Sequence, residues 1–167
     1  IYATREALIR RVFGARRSML LIAHRGNIKG PEPKKENSPD YIDAAIEHGV
    51  NVEVDIRYVN GKFWLGHDEP QYEVSLEWLS KRVYKMWIHA KNLAALNWFL
   101  KDLNSWNVFW HQEDDYTITS LGYIWAYPGS ELSDKSICVM PESVGEDYDP
   151  GTNILGICTD FVEKYKV

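Results

Sequence analysis

Leu20-Leu21-Ile22-Ala23-His24-Arg25-Gly26 is a short apolar run that breaks at a histidine and is followed at once by charge and glycine. A buried strand has this form where it emerges into a polar site. The pattern returns at Phe63-Trp64-Leu65-Gly66-His67-Asp68. Between the two lies Val50-Asn51-Val52-Glu53-Val54-Asp55-Ile56-Arg57, a third apolar run carrying two carboxylates two residues apart. Strand side chains alternate faces, so Glu53 and Asp55 point one way and the valines the other. Two acids on one face of a hydrophobic strand repel each other unless positive charge lies between them. A divalent cation is the simplest such partner.

From the first run the chain passes into a Gly-, Pro- and Lys-rich loop over residues 27–37, which ends at Ser38-Pro39. Serine suits a helix N-cap and proline the first helical position, so a helix is expected over 38–48, with Ile42, Ala45 and Ile46 on one side and Gly49 as its stop. Strand, loop, helix and strand make a βαβ unit, which implies parallel strands covered by helices. Apolar runs at 85–92, 107–111, 122–127, 136–142 and 154–160 bring the candidate strands to eight, with a further helix expected over 93–103. Eight parallel strands predict an α/β fold, a compact (β/α)8 TIM-type barrel whose catalytic residues gather where the strands end. Such barrels take about 250 residues, so several helices must be shortened or missing here. Residues 1–18 stand apart as a basic leader, helical or foreign to the domain, and 19–167 form a single domain.

An apolar fraction of 45% excludes a disordered chain. The net charge of −5 hides an asymmetry, because the leader holds five arginines against one glutamate and leaves the remainder far more acidic. An acidic body lacks the basic surface that nucleic acid requires. A phosphate ligand would have to be caught locally, by a metal or a few placed cations. No run of about twenty apolar residues provides a membrane span. Cys138 and Cys158 each sit inside an apolar run and read as buried free thiols, so nothing demands an oxidising compartment and a cytoplasmic location is expected.

Four of the five histidines, His24, His67, His89 and His111, fall at the ends of expected strands, whereas His48 ends a helix and reads as structural. Glu53 and Asp55 offer hard oxygen ligands to Mg²⁺ or Ca²⁺. Of His24 and His67, one can take a proton from an attacking hydroxyl while the other protonates the leaving alkoxide, work suited to imidazole near neutral pH. Arg25 and Lys91 supply fixed positive charge to phosphoryl oxygens. The chemistry this set describes is two-histidine proton transfer across a phosphodiester.

His24-Arg25-Gly26, Glu36-Asn37-Ser38 at a helix start, Glu53-Val54-Asp55 and Gly66-His67-Asp68 together resemble the successive signatures of the glycerophosphodiester phosphodiesterase family, within the barrel phosphodiesterases that include phosphatidylinositol-specific phospholipase C. The resemblance is specific over residues 20–68 and fades later, though 156–160 is similar to the family's closing strand. It implies a metal-dependent phosphodiesterase of small-molecule glycerophosphodiester-type substrates, with His24 and His67 as the acid–base pair, Glu53 and Asp55 as metal ligands, and Glu36 in the site beside Arg25. One departure is visible. Where the family has glutamate, any residue, lysine, this chain has His89-Ala90-Lys91. His89 then becomes a candidate metal ligand, and it admits Mn²⁺ or Zn²⁺ beside Mg²⁺ or Ca²⁺.

Other readings stay open at this level. Glu53 and Asp55 can form ion pairs with Arg25, Arg57 or Lys91 without a metal. His111 is a candidate substrate contact or a plain surface or core residue. Glu142, after Pro141, is a candidate replacement ligand or a solvated loop residue. A non-catalytic phosphodiester-binding barrel, and a lyase that closes a cyclic phosphate, are the alternatives to hydrolysis.

Overall fold

The computed structural model describes residues 19–102 and 104–166; the leader expected over 1–18 lies outside them. Ten strands form one curled sheet: β1 Leu20–His24, β2 Asn51–Val59, β3 Lys62–Leu65, β4 Tyr72–Val74, β5 Met86–Ala90, β6 Val108–Phe109, β7 Tyr116–Ile118, β8 Ile124–Ala126, β9 Ser136–Val139 and β10 Gly156–Thr159. Among the described residues, four short α-helices accompany them: α1 Pro39–Glu47, α2 Leu76–Ser80, α3 Leu93–Phe99 and α4 Val162–Tyr165.

The expected (β/α)8 barrel is not what forms. Seven strands run parallel in the order β6-β5-β2-β1-β10-β9-β8, while β3, β4 and β7 are antiparallel to their neighbours. The sheet is therefore mixed, and helices do not alternate with its strands. The run at 63–68, expected as a parallel barrel strand, is instead the second arm of a hairpin. Its reason is local: Asn60-Gly61 is a two-residue connection with both φ values positive, +52° and +75°, the turn that fits a right-twisted hairpin. A parallel crossover needs a dozen or more residues, and none are present. Between β8 and β9, and between β9 and β10, the chain crosses by loops and a 3₁₀ turn at Pro141–Ser143 rather than by α-helices.

Among the described residues no ladder joins β6 to β8, so the curl stays open. The gap is bridged by side chains. The Ser120 hydroxyl accepts from Val108 N–H at 2.9 Å and donates to the Trp106 carbonyl, and Ser120 N–H donates to the Val108 carbonyl at 2.8 Å. The Phe109 and Trp125 rings meet across it with centroids 4.5 Å apart.

Period-two alternation sorts the strands into two layers. Val52, Val54 and Ile56 are fully buried on the outer face, where they pack with Ile42 and Ala45 of α1 and Ala95 and Phe99 of α3. Burying each contributes roughly 1.5–3 kcal/mol. The inner face of the curl is filled by Leu20, Ile22, Trp87, Phe109, Trp125, Ile137 and Cys158. Beyond that plug the next inward positions are His24, His89, His111 and Asp160, with Val139 the apolar exception.

Three of the four helices start at a capping side chain, Ser38, Ser75 or Asn92. Ser38 Oγ accepts from Tyr41 N–H at 3.3 Å with Pro39 beginning α1. Asn92 Oδ1 accepts from Ala95 N–H and from Tyr58 N–H, while its amide donates to the Tyr58 carbonyl at 3.1 Å, so one side chain both caps α3 and ties it to β2. The helix expected over 93–103 winds tightly into a 3₁₀ turn from Leu100 to Asp102. No helix among the described residues is long and apolar enough to cross a membrane.

Candidate functional site

Strand register brings the polar residues together. In the parallel ladders His24 lies opposite Glu53, and Asp55 lies opposite His89. Paired positions project to the same face, so both carboxylates and both imidazoles enter the same end of the curl, directly above the aromatic plug. Above them opens a cleft of about 320 Å³ lined by His24, Arg25, Glu53, His67, His89 and Lys91 on one side. Trp125, Tyr127, Pro128, Val139 and Met140 give it an apolar opposite wall.

Glu53 and Asp55 are each 1% exposed. Asp55 Oδ2 accepts from the Asn37 amide at 2.9 Å and lies 3.1 Å from Arg25 Nε, whereas its Oδ1 has no hydrogen-bond partner. That free oxygen lies 3.6 Å from His89 Nδ1, which is also 3.7 Å from Glu53 Oε1. Both separations exceed a hydrogen bond. They are the spacing of neighbouring ligands around one ion, and one donor atom from each residue falls within 4.8 Å of the others.

The tautomer of His89 follows from its other nitrogen. Nε2 lies 2.9 Å from the His111 carbonyl, which can only accept, so Nε2 carries a proton. In the neutral ring Nδ1 then presents a lone pair to two carboxylate oxygens. With Nδ1 unprotonated three acceptors face one another, an arrangement that a proton on the ring or a cation relieves. The residues fit a divalent ion: two buried carboxylates balance its charge, the imidazole is oriented by a carbonyl behind it, as metal-binding histidines are, and Asp55 Oδ1 is a buried oxygen awaiting a partner.

Electrostatics agree with this crowding. Burial acts against ionisation of Glu53, but His89, His24 and Arg25 outweigh it and hold the carboxyl below its ordinary range. Burial and the neighbouring Glu53 charge push Asp55 the other way, upward. Glu36, Glu53, Asp55 and Asp160 all contact Arg25, His24 or His89, and four carboxylates outnumber the fixed positive charge.

His24 donates from Nδ1 to, or shares a proton with, Asp160 Oδ1 at 2.7 Å, leaving Nε2 toward the cleft and 3.8 Å from Glu53 Oε2. Burial lowers its pKa, yet the Asp160 hydrogen bond and the charges of Glu53 and Asp160 prevail and raise it above 6.5. His67 lies beyond the end of β3, half-exposed, with Nδ1 2.8 Å from Asp68 Oδ1. The Asp68 carboxyl is held below its ordinary value by that imidazole. The loop is shaped by Gly66 (φ +152°), where a Cβ would stand 2.0 Å from the Glu69 carbonyl oxygen, and by Arg57, which donates to the carbonyls of Gly66 at 3.3 Å and His67 at 2.6 Å.

Glu36 holds the cleft residue Arg25, accepting from Nη1 at 3.2 Å, and takes a second bond from Asn27 at 3.0 Å. The His111 ring lines the cleft with Nε2 toward the Asp114 carbonyl, and its own main-chain carbonyl orients His89. Glu142 is committed elsewhere: it accepts from the Thr159 hydroxyl and the Asp160 N–H, each at 2.9 Å, and so braces the end of β10.

Three residues of the site escape a search for histidines and paired acids. Asp160 sits at the end of an apolar run just as the histidines do, which was the available signal. Asn27 is fully buried and donates to both Glu36 and Asp160 at 3.0 and 2.9 Å while accepting from Tyr41. Asn37, at φ +64°, exchanges two hydrogen bonds with Asp55. Asn37 stands inside the Glu36-Asn37-Ser38 signature without a role assigned to it there, and Asn27 carries no sequence pattern that separates it from an ordinary loop residue.

No family model matches the chain, and no match was found among curated proteins or solved structures.

Proposed function

We propose that this protein hydrolyses small phosphodiesters, of glycerophosphodiester type, with a divalent cation held by Glu53, Asp55 and His89. The observation that carries the proposal is the corner where Asp55 Oδ1, Glu53 Oε1 and His89 Nδ1 face one another, Glu53 and His89 also lining a cleft shared with His24 and His67. A bound divalent ion supplies Lewis-acid polarisation of a phosphoryl oxygen. The chain's own groups do the rest. His24, held through Nδ1 by Asp160, presents Nε2 for proton transfer, and His67, anchored on Asp68, presents its other nitrogen to the same cleft. One takes the proton of the attacking water and the other returns one to the leaving alkoxide. Arg25 and Lys91 meet the phosphoryl oxygens with positive charge. The apolar wall of Trp125, Tyr127, Pro128, Val139 and Met140 receives the alcohol. Two reduced cysteines, Cys138 and Cys158, suit a cytoplasmic setting in this reading.

The test is hydrolysis of bis-p-nitrophenyl phosphate by the purified chain, with and without divalent ions and chelator. Metal-stimulated turnover that falls by about 10²-fold or more in His24→Ala and in His67→Ala supports the proposal. Phosphodiester binding without turnover would replace it with a binding module. Phosphorus NMR of the product separates an open monoester from the lasting cyclic phosphate of a lyase.

A further inference from the structure

We infer that the cation site selects first-row transition ions, Mn²⁺ and Zn²⁺, over Mg²⁺ and Ca²⁺, because an imidazole completes the set that begins with Glu53 and Asp55. The inference rests on the cation half of the proposed function and is independent of hydrolysis.

Its ground is the way His89 is held. The ring is stacked on Phe109, with centroids 4.8 Å apart and planes 22° from parallel. Nε2 is engaged by the His111 carbonyl at 2.9 Å. Plane and tautomer are thus both set, and Nδ1 is aimed between Asp55 Oδ1 and Glu53 Oε1. A neutral, borderline nitrogen donor suits Zn²⁺ well, is accepted by Mn²⁺ at the weak end of the same first-row series, and suits Mg²⁺ and Ca²⁺ poorly. Ca²⁺ also seeks six to eight oxygens. Here Asp55 Oδ2 is already taken by Asn37, with Arg25 beside it, so Asp55 offers only Oδ1. Two carboxylates neutralise a dication, and no third carboxylate joins this cluster among the described residues. The donor set therefore satisfies a transition ion in charge and in softness, and leaves a hard ion short of oxygen.

The experiment titrates metal-free full-length protein with Mn²⁺, following the free-ion electron paramagnetic resonance signal, and then competes with Zn²⁺, Mg²⁺ and Ca²⁺. Mn²⁺ is expected to bind at least about tenfold more tightly than Mg²⁺ or Ca²⁺, with Zn²⁺ displacing it. Electron spin echo modulation of the bound Mn²⁺ should show coupling to one imidazole nitrogen. His89→Glu should abolish that coupling and erase or invert the preference, and His89→Gln should weaken Mn²⁺ binding, circular dichroism reporting that each variant is folded. Equal or tighter Mg²⁺ or Ca²⁺ binding overturns the inference and leaves the proposed function standing. Bound Mn²⁺ without nitrogen coupling in the unsubstituted protein also overturns it. Failure of all four ions to bind overturns both.

Discussion

The His24 imidazole and the Asp160 carboxylate, 136 positions apart in the chain, are joined by a 2.7 Å hydrogen bond at the mouth of the curled sheet. The bond exists because β1 and β10 are parallel neighbours whose register, Ala23 opposite Thr159, places the next residue of each side by side. Asp160 is itself fixed by Asn27 and by Glu142. It acts as a positioning residue, presenting one nitrogen of His24 to the cleft and stabilising the charged ring.

Replacing that carboxylate separates its charge from its shape. In Asp160→Asn the pKa of His24, read by NMR in chelator, should fall from its raised position, because the amide keeps a hydrogen bond but loses the charge. Turnover should drop about 10²-fold, with the pH profile displaced in the same direction as the His24 titration. An unchanged His24 titration would contradict the role given to Asp160.

Arg57 positions His67 without reaching the cleft lining. Arg57→Met removes the donors to the Gly66 and His67 carbonyls and should lower turnover at least about tenfold, with Arg57→Lys recovering part of it. The loss should appear in kcat rather than in KM. A change confined to thermal stability would make the arginine structural.

Gly66 and Gly61 offer a contrast in backbone cost. A Cβ at Gly66 would stand 2.0 Å from a main-chain oxygen, whereas at Gly61 it would meet nothing within 4 Å. Gly61→Ala therefore pays for its positive φ alone, about 1–2 kcal/mol, while Gly66→Ala should cost at least about 3 kcal/mol and shift His67 with it. Urea unfolding measures both, and equal destabilisation would refute the steric account.

The two thiols give an alkaline limit. Burial pushes Cys138 up to about 11 and Cys158 well above its ordinary 9, the charge of Glu53 adding to the second. Unfolded thiols ionise near 9 while the folded ones stay protonated. The unfolded chain then binds fewer protons, so this stability is complete below about pH 9 and is lost as pH rises toward 11. Urea midpoints should decline over that window, less steeply in Cys138→Ala than in the unsubstituted chain. At pH 8 neither thiol should react with an aromatic disulfide until the protein unfolds.

Much of the site was legible in the chain because strand alternation is local. Glu53 and Asp55 share a face, and histidines terminate apolar runs, for reasons contained in a few residues. The caps at Ser38 and Asn92 and the Asn60-Gly61 turn are equally local. That turn also forbids a parallel crossover, which is why the apolar rhythm of 63–68 belongs to a hairpin arm and not to a barrel strand. Asn27 stayed hidden, and Asn37 showed only as part of a signature, because their importance lies in partners 9 to 133 residues away.

Sequence alone therefore established which side chains of a strand share a face, as Glu53 and Asp55 do, since that follows from the covalent geometry of extended backbone. Strand order, the open gap between β6 and β8, and the stagger that sets His24 against Asp160 and aims His89 Nδ1 at Asp55 arise only in the folded chain. They depend on how the aromatic plug fills the curl and how each ladder slides to accommodate it. Such packing is a property of many distant residues at once, and no window of sequence contains it.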